Sequence, residues 1–161
     1  MKWSVLAICP FLLCSCGNKQ GQVTQGNWIK GTEQEKLKIT ENQFRGFDMA
    51  MVETGYRYQE LYWAGQDGNW EYAGYQLEKI QKAIENGLQR RPKRAASAEH
   101  FLQVALPEMK KAVESRDTLV FSKEFRMFTA NCTACHVKEK VPYFTVREPM
   151  FRQSPIRGME P

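Results

Sequence analysis

Two cysteines three residues apart, followed at once by a histidine, constrain this chain more than anything else in it: Cys132-Thr133-Ala134-Cys135-His136. On a helix, residues three and four apart share one face, so Cys132, Cys135 and His136 project side by side. That spacing matches the attachment site of a c-type haem, in which both thiols become thioethers to the vinyl groups of one porphyrin and the imidazole coordinates the iron. The cofactor expected on these residues is haem c. Two other chemistries use Cys-x-x-Cys, half a zinc site and a redox dithiol. Zinc needs four ligands, but the other three cysteines, Cys9, Cys14 and Cys16, crowd the first sixteen residues, and the only other histidine is His100. A redox dithiol usually opens a helix after a strand. Here the pair closes a long helical pattern in a chain without alternating strands and helices.

The chain begins with Lys2, a short apolar core from Val5 to Leu13, and the sequence Leu13-Cys14-Ser15-Cys16. An apolar run this short falls well below the ~20 residues that span a bilayer, so it reads as a targeting segment. It resembles a bacterial lipoprotein signal. The resemblance implies cleavage after Ser15 and acylation of Cys16, with Cys14 as the alternative modified residue because it stands where that family more often has Ala, Ser or Thr. It also implies a lipid-anchored protein of the cell envelope, facing the periplasm or on the outer membrane. This agrees with the pentad, since covalent haem attachment takes place on the exported side of the membrane in the systems it resembles.

Removal of residues 1–15 leaves 146 of the 161 residues, enough for one domain with a proper core. Losing Lys2 from 23 basic residues against 18 acidic ones leaves a net charge of +4, which argues against nucleic acid as the main partner. The densest basic run, Arg90-Arg91-Pro92-Lys93-Arg94, is expected to be a solvated loop between helices, with docking of an acidic partner as the sharper alternative. Residues 16–32 are rich in Gly, Asn, Gln and Thr and are expected to form a flexible tether.

Four helical stretches follow over residues 33–140. The first runs from Glu33 or Glu41 to Ala64, with Phe44, Phe47, Met51, Tyr58 and Tyr62 on one stripe. Gly65-Gln66-Asp67-Gly68 is a tight stop. The second carries Trp70, Leu77, Ile80, Ile84 and Leu88 and ends before Pro92, and the short turn between the two long helices predicts antiparallel neighbours. The third begins near Ser97 as a cap and is kinked or broken by Pro107. The fourth starts after Asp117, and its stripe of Phe121, Phe125 and Phe128 continues into Cys132 and Cys135. The face a bundle helix would bury is thus the face that presents both thiols. Residues 141–161, with four prolines, are expected to be an extended tail packed back over one end. The fold predicted is an all-α antiparallel four-helix bundle with covalent haem near the end of the last helix.

Four helices with the pentad near the end of the last resemble cytochrome c prime and its Met-ligated relatives. A nearer resemblance is to small bacterial haem proteins with a Leu-Trp-x-Ala-Gly then Asn-Trp-x-x-Ala-x-Tyr pattern. Here the corresponding segments are Leu61-Tyr62-Trp63-Ala64-Gly65 and Asn69-Trp70-Glu71-Tyr72-Ala73-Gly74-Tyr75, with an aromatic segment after the pentad at Tyr143-Phe144-Thr145-Val146-Arg147. The match covers roughly residues 44–149. It implies the bundle and a haem, and no substrate.

The sixth position of the iron decides the chemistry, because a strong axial ligand gives an electron carrier whereas an open site admits small gases. Met51, Met49, Met109 and His100 are the candidates. The resemblance favours Met51, since the Met-ligated relatives use a methionine of the first helix. The bland alternative for each methionine is core filling, and for Trp63 and Trp70 it is packing around the first turn. Two functions follow: a membrane-tethered monohaem cytochrome for single-electron transfer, or a five-coordinate haem protein that senses or scavenges NO or CO. No histidine and arginine pair carries a recognisable distal-pocket motif, so an enzyme is not expected. The partners expected are a redox protein of unspecified identity, the membrane through the lipid, and a second copy of the chain in a homodimer.

Overall fold

A computed structural model describes residues 26–157. The signal segment, Cys14, Cys16 and the first part of the tether lie outside the described residues. The chain divides into two compact units, residues 1–40 and 41–161. In the first, Thr32 opens helix α1 (Glu33–Phe44) with a reciprocal cap: Thr32 N–H donates to Glu35 Oε2 at 2.7 Å, and Glu35 N–H donates to Thr32 Oγ1 at 3.3 Å. Those bonds hold the exposed Glu35 carboxyl below its ordinary pKa. No residue of α1 is buried.

The second unit is built from α2 (Phe47–Gln66), α3 (Trp70–Arg90), α4 (Ala95–His100), α5 (Leu106–Glu114) and α6 (Thr118–Lys138). Among the described residues there is no strand. A π-turn, Phe101–Ala105, joins α4 to α5 as one rod, so four helices pack together. α2 lies against α3 and α6, and α5 lies against the same two, which closes a four-sided arrangement around one core.

The first helical stretch is not continuous, contrary to its sequence pattern. Arg45 adopts a left-handed φ of 58° and Gly46 is extended, and the Asp48 carboxylate accepts Gly46 N–H at 3.0 Å. The backbone at Arg45 and Gly46 separates α2 from α1, and α2 starts without a side-chain cap. α2 closes two residues beyond Ala64, where Gly68 takes a φ of 68° and the Asn69 side chain accepts Tyr72 N–H at 3.2 Å to begin α3. α3 has the expected bounds, and it buries Leu77, Ile80 and Ile84. Gly87 is needed there, because a Cβ would stand 2.6 Å from that of Ala50.

The third stretch also departs from expectation. Ser97 caps nothing: Pro92, whose ring fixes φ, opens a 3-10 turn at Pro92–Arg94, and α4 starts directly after it. Pro107 does not break the rod. It falls in the first turn of α5, after the π-turn has already displaced the hydrogen-bond ladder that its missing N–H would interrupt. Asp117 caps α6 as expected, its carboxylate accepting Leu119 N–H at 2.7 Å and Val120 N–H at 3.1 Å.

The core is densest along the first half of α6. Phe121, Phe125 and Phe128 are each 0 % exposed. Phe125 meets Tyr58 at 4.8 Å and Tyr62 at 5.0 Å between ring centroids, and Phe128 meets Phe101 at 4.8 Å. Burying each ring stabilises the fold by roughly 1.5–3 kcal/mol, and each tilted pair adds about 0.5–1.5 kcal/mol. Gly65 admits the Phe121 ring so closely that any Cβ would lie 2.2 Å from it.

Candidate functional site

The pentad occupies the second half of α6, where the aromatic stripe ends. Cys132, Cys135 and His136 are all half-buried, and Cys132 packs against the core cluster. The two thiols are not joined to each other. Burial pushes the Cys132 thiol up to about 12, with the neighbouring Cys135 adding to the rise. Burial also raises Cys135, while Lys138 and Arg94 pull it back. Both are therefore protonated at neutral pH, unlike the low-pKa thiolate that drives a catalytic dithiol.

His136 is oriented by the chain that follows it. Its Nδ1 hydrogen-bonds the carbonyl oxygen of Phe144. A carbonyl only accepts, so Nδ1 carries the hydrogen, and in the neutral form of such a ring the lone pair lies on Nε2. Among the described residues no protein group hydrogen-bonds that nitrogen.

The Phe144 carbonyl reaches His136 because α6 turns sharply at its end. Lys140 takes a φ of 62°, with Lys140 N–H donating to Val137 O at 3.0 Å and Val141 N–H to His136 O at 2.9 Å. This is a Schellman closure with a lysine where glycine is commoner. A turn then brings Phe144 N–H to Val141 O at 3.0 Å, and Val146 N–H donates to Thr133 Oγ1 at 3.2 Å. From α2, Tyr58 OH lies 3.2 Å from the Arg147 carbonyl and 2.6 Å from Thr129 Oγ1. Further along, the tail reaches the C-terminal end of α2. There Arg152 donates twice to Asp67, at 2.7 Å and 2.5 Å, and its guanidinium stands 4.8 Å from the Trp63 ring centroid.

The basic run lies at the pentad end of the molecule. Arg94 pairs with Glu139, just beyond α6, and its guanidinium stands 5.8 Å from the Phe47 ring centroid. The Nε atoms of Arg90 and Arg94 are buried without a hydrogen-bond partner. A carboxylate-bearing group would satisfy them. The donor set therefore suits a haem: two free thiols and one directed imidazole nitrogen share a helix face, and buried guanidinium nitrogens belong to the same end.

The structure brings Cys132, Cys135 and His136 together. Met51 is half-buried and packs on the same core cluster as Cys132. Met109 is fully buried inside that cluster, whereas Met49 and His100 are exposed. Sequence reading missed the Phe144 carbonyl, Thr133 and Arg152. A backbone carbonyl has no residue signature, and Arg152 lies 85 residues from the Asp67 it pairs with.

No protein-family model, no curated protein and no solved structure matches the chain.

Proposed function

We propose that the chain is a lipid-anchored monohaem c-type cytochrome that passes single electrons between partners in the bacterial cell envelope. One observation carries the reading: on the helix face that holds two free thiols, the His136 ring is fixed by the Phe144 carbonyl through Nδ1, which leaves Nε2 as the nitrogen that could coordinate a metal. Cys132 and Cys135 would hold the porphyrin edge, His136 the iron, and Arg90 and Arg94 the propionates. The bound haem would supply one-electron iron chemistry; the protein supplies position and a partly dry setting.

The contacts between α2 and α6 support an antiparallel bundle. Gly65 meets Phe121, Tyr62 meets Phe125 and Tyr58 meets Thr129, in opposite order along the two helices. Met51 lies two turns before Tyr58, and His136 two turns after Thr129. At 1.5 Å of rise per residue these are about equal distances, which favours Met51 as the sixth ligand.

Replacing Cys132 and Cys135 together by alanine should abolish covalently retained haem, read by haem staining of a denaturing gel. An unmodified protein that retains none would end the reading. Spectra of the reduced protein with and without CO test the ligand set. A low-spin spectrum that turns high-spin and CO-reactive in Met51→Ala supports the carrier, whereas a wild-type protein already CO-reactive removes Met51 and favours gas binding. Cys16→Ala should move the protein from membrane to soluble fractions.

A further inference from the structure

We propose that residues 143–147 are a brace for the His136 ring, with Thr133 as its positioning residue and Arg152 as its far anchor. The inference deepens the cytochrome reading and rests on it for one of its two readouts.

Apolar packing holds the segment at one point, Val146, which lies against the core cluster. Around it Tyr143 is 74 % exposed and Phe144 59 %, and no helix or strand includes them. Polar ties add to that single contact in fixing where the Phe144 carbonyl stands, and they occur on both sides of it. Thr133, one turn before His136 on α6, accepts Val146 N–H at 3.2 Å, so 133 faces 146 while 136 faces 144. The Arg147 carbonyl is met by Tyr58 OH from α2 at 3.2 Å. Five residues on, Arg152 closes the path with two bonds to Asp67 and a third, at 3.5 Å, to the Trp63 carbonyl. Its side chain is only 11 % exposed, so this pair is less screened than an ordinary surface bridge. Arg152 also places a cation at the C-terminal end of α2, where the helix dipole favours one.

Donation of Nδ1–H to a carbonyl increases the basicity of Nε2 and so favours ferric over ferrous iron. Without the Thr133 hydroxyl, Val146 N–H loses its acceptor and the Phe144 carbonyl is no longer held in line. The ring should then drift toward the Nε2–H tautomer that free imidazole side chains prefer. The redox potential should rise.

The test compares the full-length wild type with Thr133→Val, Thr133→Ser and Arg152→Gln. In haem-free protein, nitrogen-15 spectra of His136 report which ring nitrogen carries the hydrogen. In the loaded protein, midpoint potential and haem content are measured. Thr133→Val should make Nε2–H the majority tautomer and shift the potential upward at unchanged haem content, and Thr133→Ser should restore both. Arg152→Gln should give a smaller upward shift and speed tryptic cleavage after Arg147 about tenfold, equivalent to ~1.4 kcal/mol. Wild-type tautomer and wild-type potential in Thr133→Val would overturn the brace. A wild type carrying no haem sinks the cytochrome reading instead, and the tautomer comparison then decides the brace alone.

Discussion

The two halves of α6 share one stripe and differ in what fills it. From Phe121 to Phe128 the stripe is rings, wholly buried and locked against Tyr58, Tyr62 and Phe101. From Cys132 to His136 it is thiols and an imidazole, half-buried, beside guanidinium nitrogens that lack partners. Helical periodicity alone does not distinguish them. The first half is finished by the protein's own side chains and exists for stability, whereas the second presents reactive atoms in fixed directions with less packing around them. Dense packing and accessible reactive atoms are thus separated along one helix.

Substitutions can break this comparison. Phe125→Ala should cost about 3–5 kcal/mol, as expected for removing a fully enclosed ring. Cys132→Ala in the haem-free chain should cost no more than about 1 kcal/mol, since the thiol is small and only half enclosed. Urea midpoints of the two variants, measured without haem, give the contrast, and equal losses would erase it.

Two glycines of α2 sharpen it further. At Gly65 an added methyl meets the Phe121 ring, so Gly65→Ala should lose about 1–3 kcal/mol. At Gly55 nothing lies within 4 Å of the new atom, and alanine's better helix propensity should gain about 0.5–1 kcal/mol. Thermal melts should therefore move in opposite directions.

A further contrast is a pH dependence of the unmodified chain. The folded Cys132 thiol ionises near 12, well above an ordinary thiol, so between about pH 9 and 12 the unfolded chain releases a proton that the folded chain retains. Stability must fall as pH rises through that window. Cys132→Ala should lose this part of the fall. Denaturation midpoints at pH 8 and pH 11 provide the measurement.

Much of the fold was legible because the signals were local. Asn69 and Asp117 mark the starts of α3 and α6 with side chains that cap them, and the apolar spacing of α3 is nearly uninterrupted. The break at Arg45 was not legible: the apolar stripe runs through it, and an arginine gives no warning of a left-handed φ. The early start of α4 was hidden because Pro92 and Ser97 both offer plausible beginnings and only the chain's path selects the first. In the candidate site, the pentad was visible from its Cys-x-x-Cys-His spacing. Its support was not, because the bonds that aim His136 use backbone atoms of a segment with no helical or strand period.

The π-turn at Phe101–Ala105 gives the rod between α3 and α6 a tolerance in length. A π-turn holds one residue more than an α-helical turn, so deleting a single residue there would let the ladder close as an ordinary helix. The extra residue is absorbed within that turn, so everything downstream would keep its facing relative to α4. Met109, Ala112 and Val113 would stay in the interior, and Lys110 and Lys111 outside it. An alignment gap of one residue at this position would therefore mark a homologue in which the turn has closed to α-helix while α5 keeps its inner face.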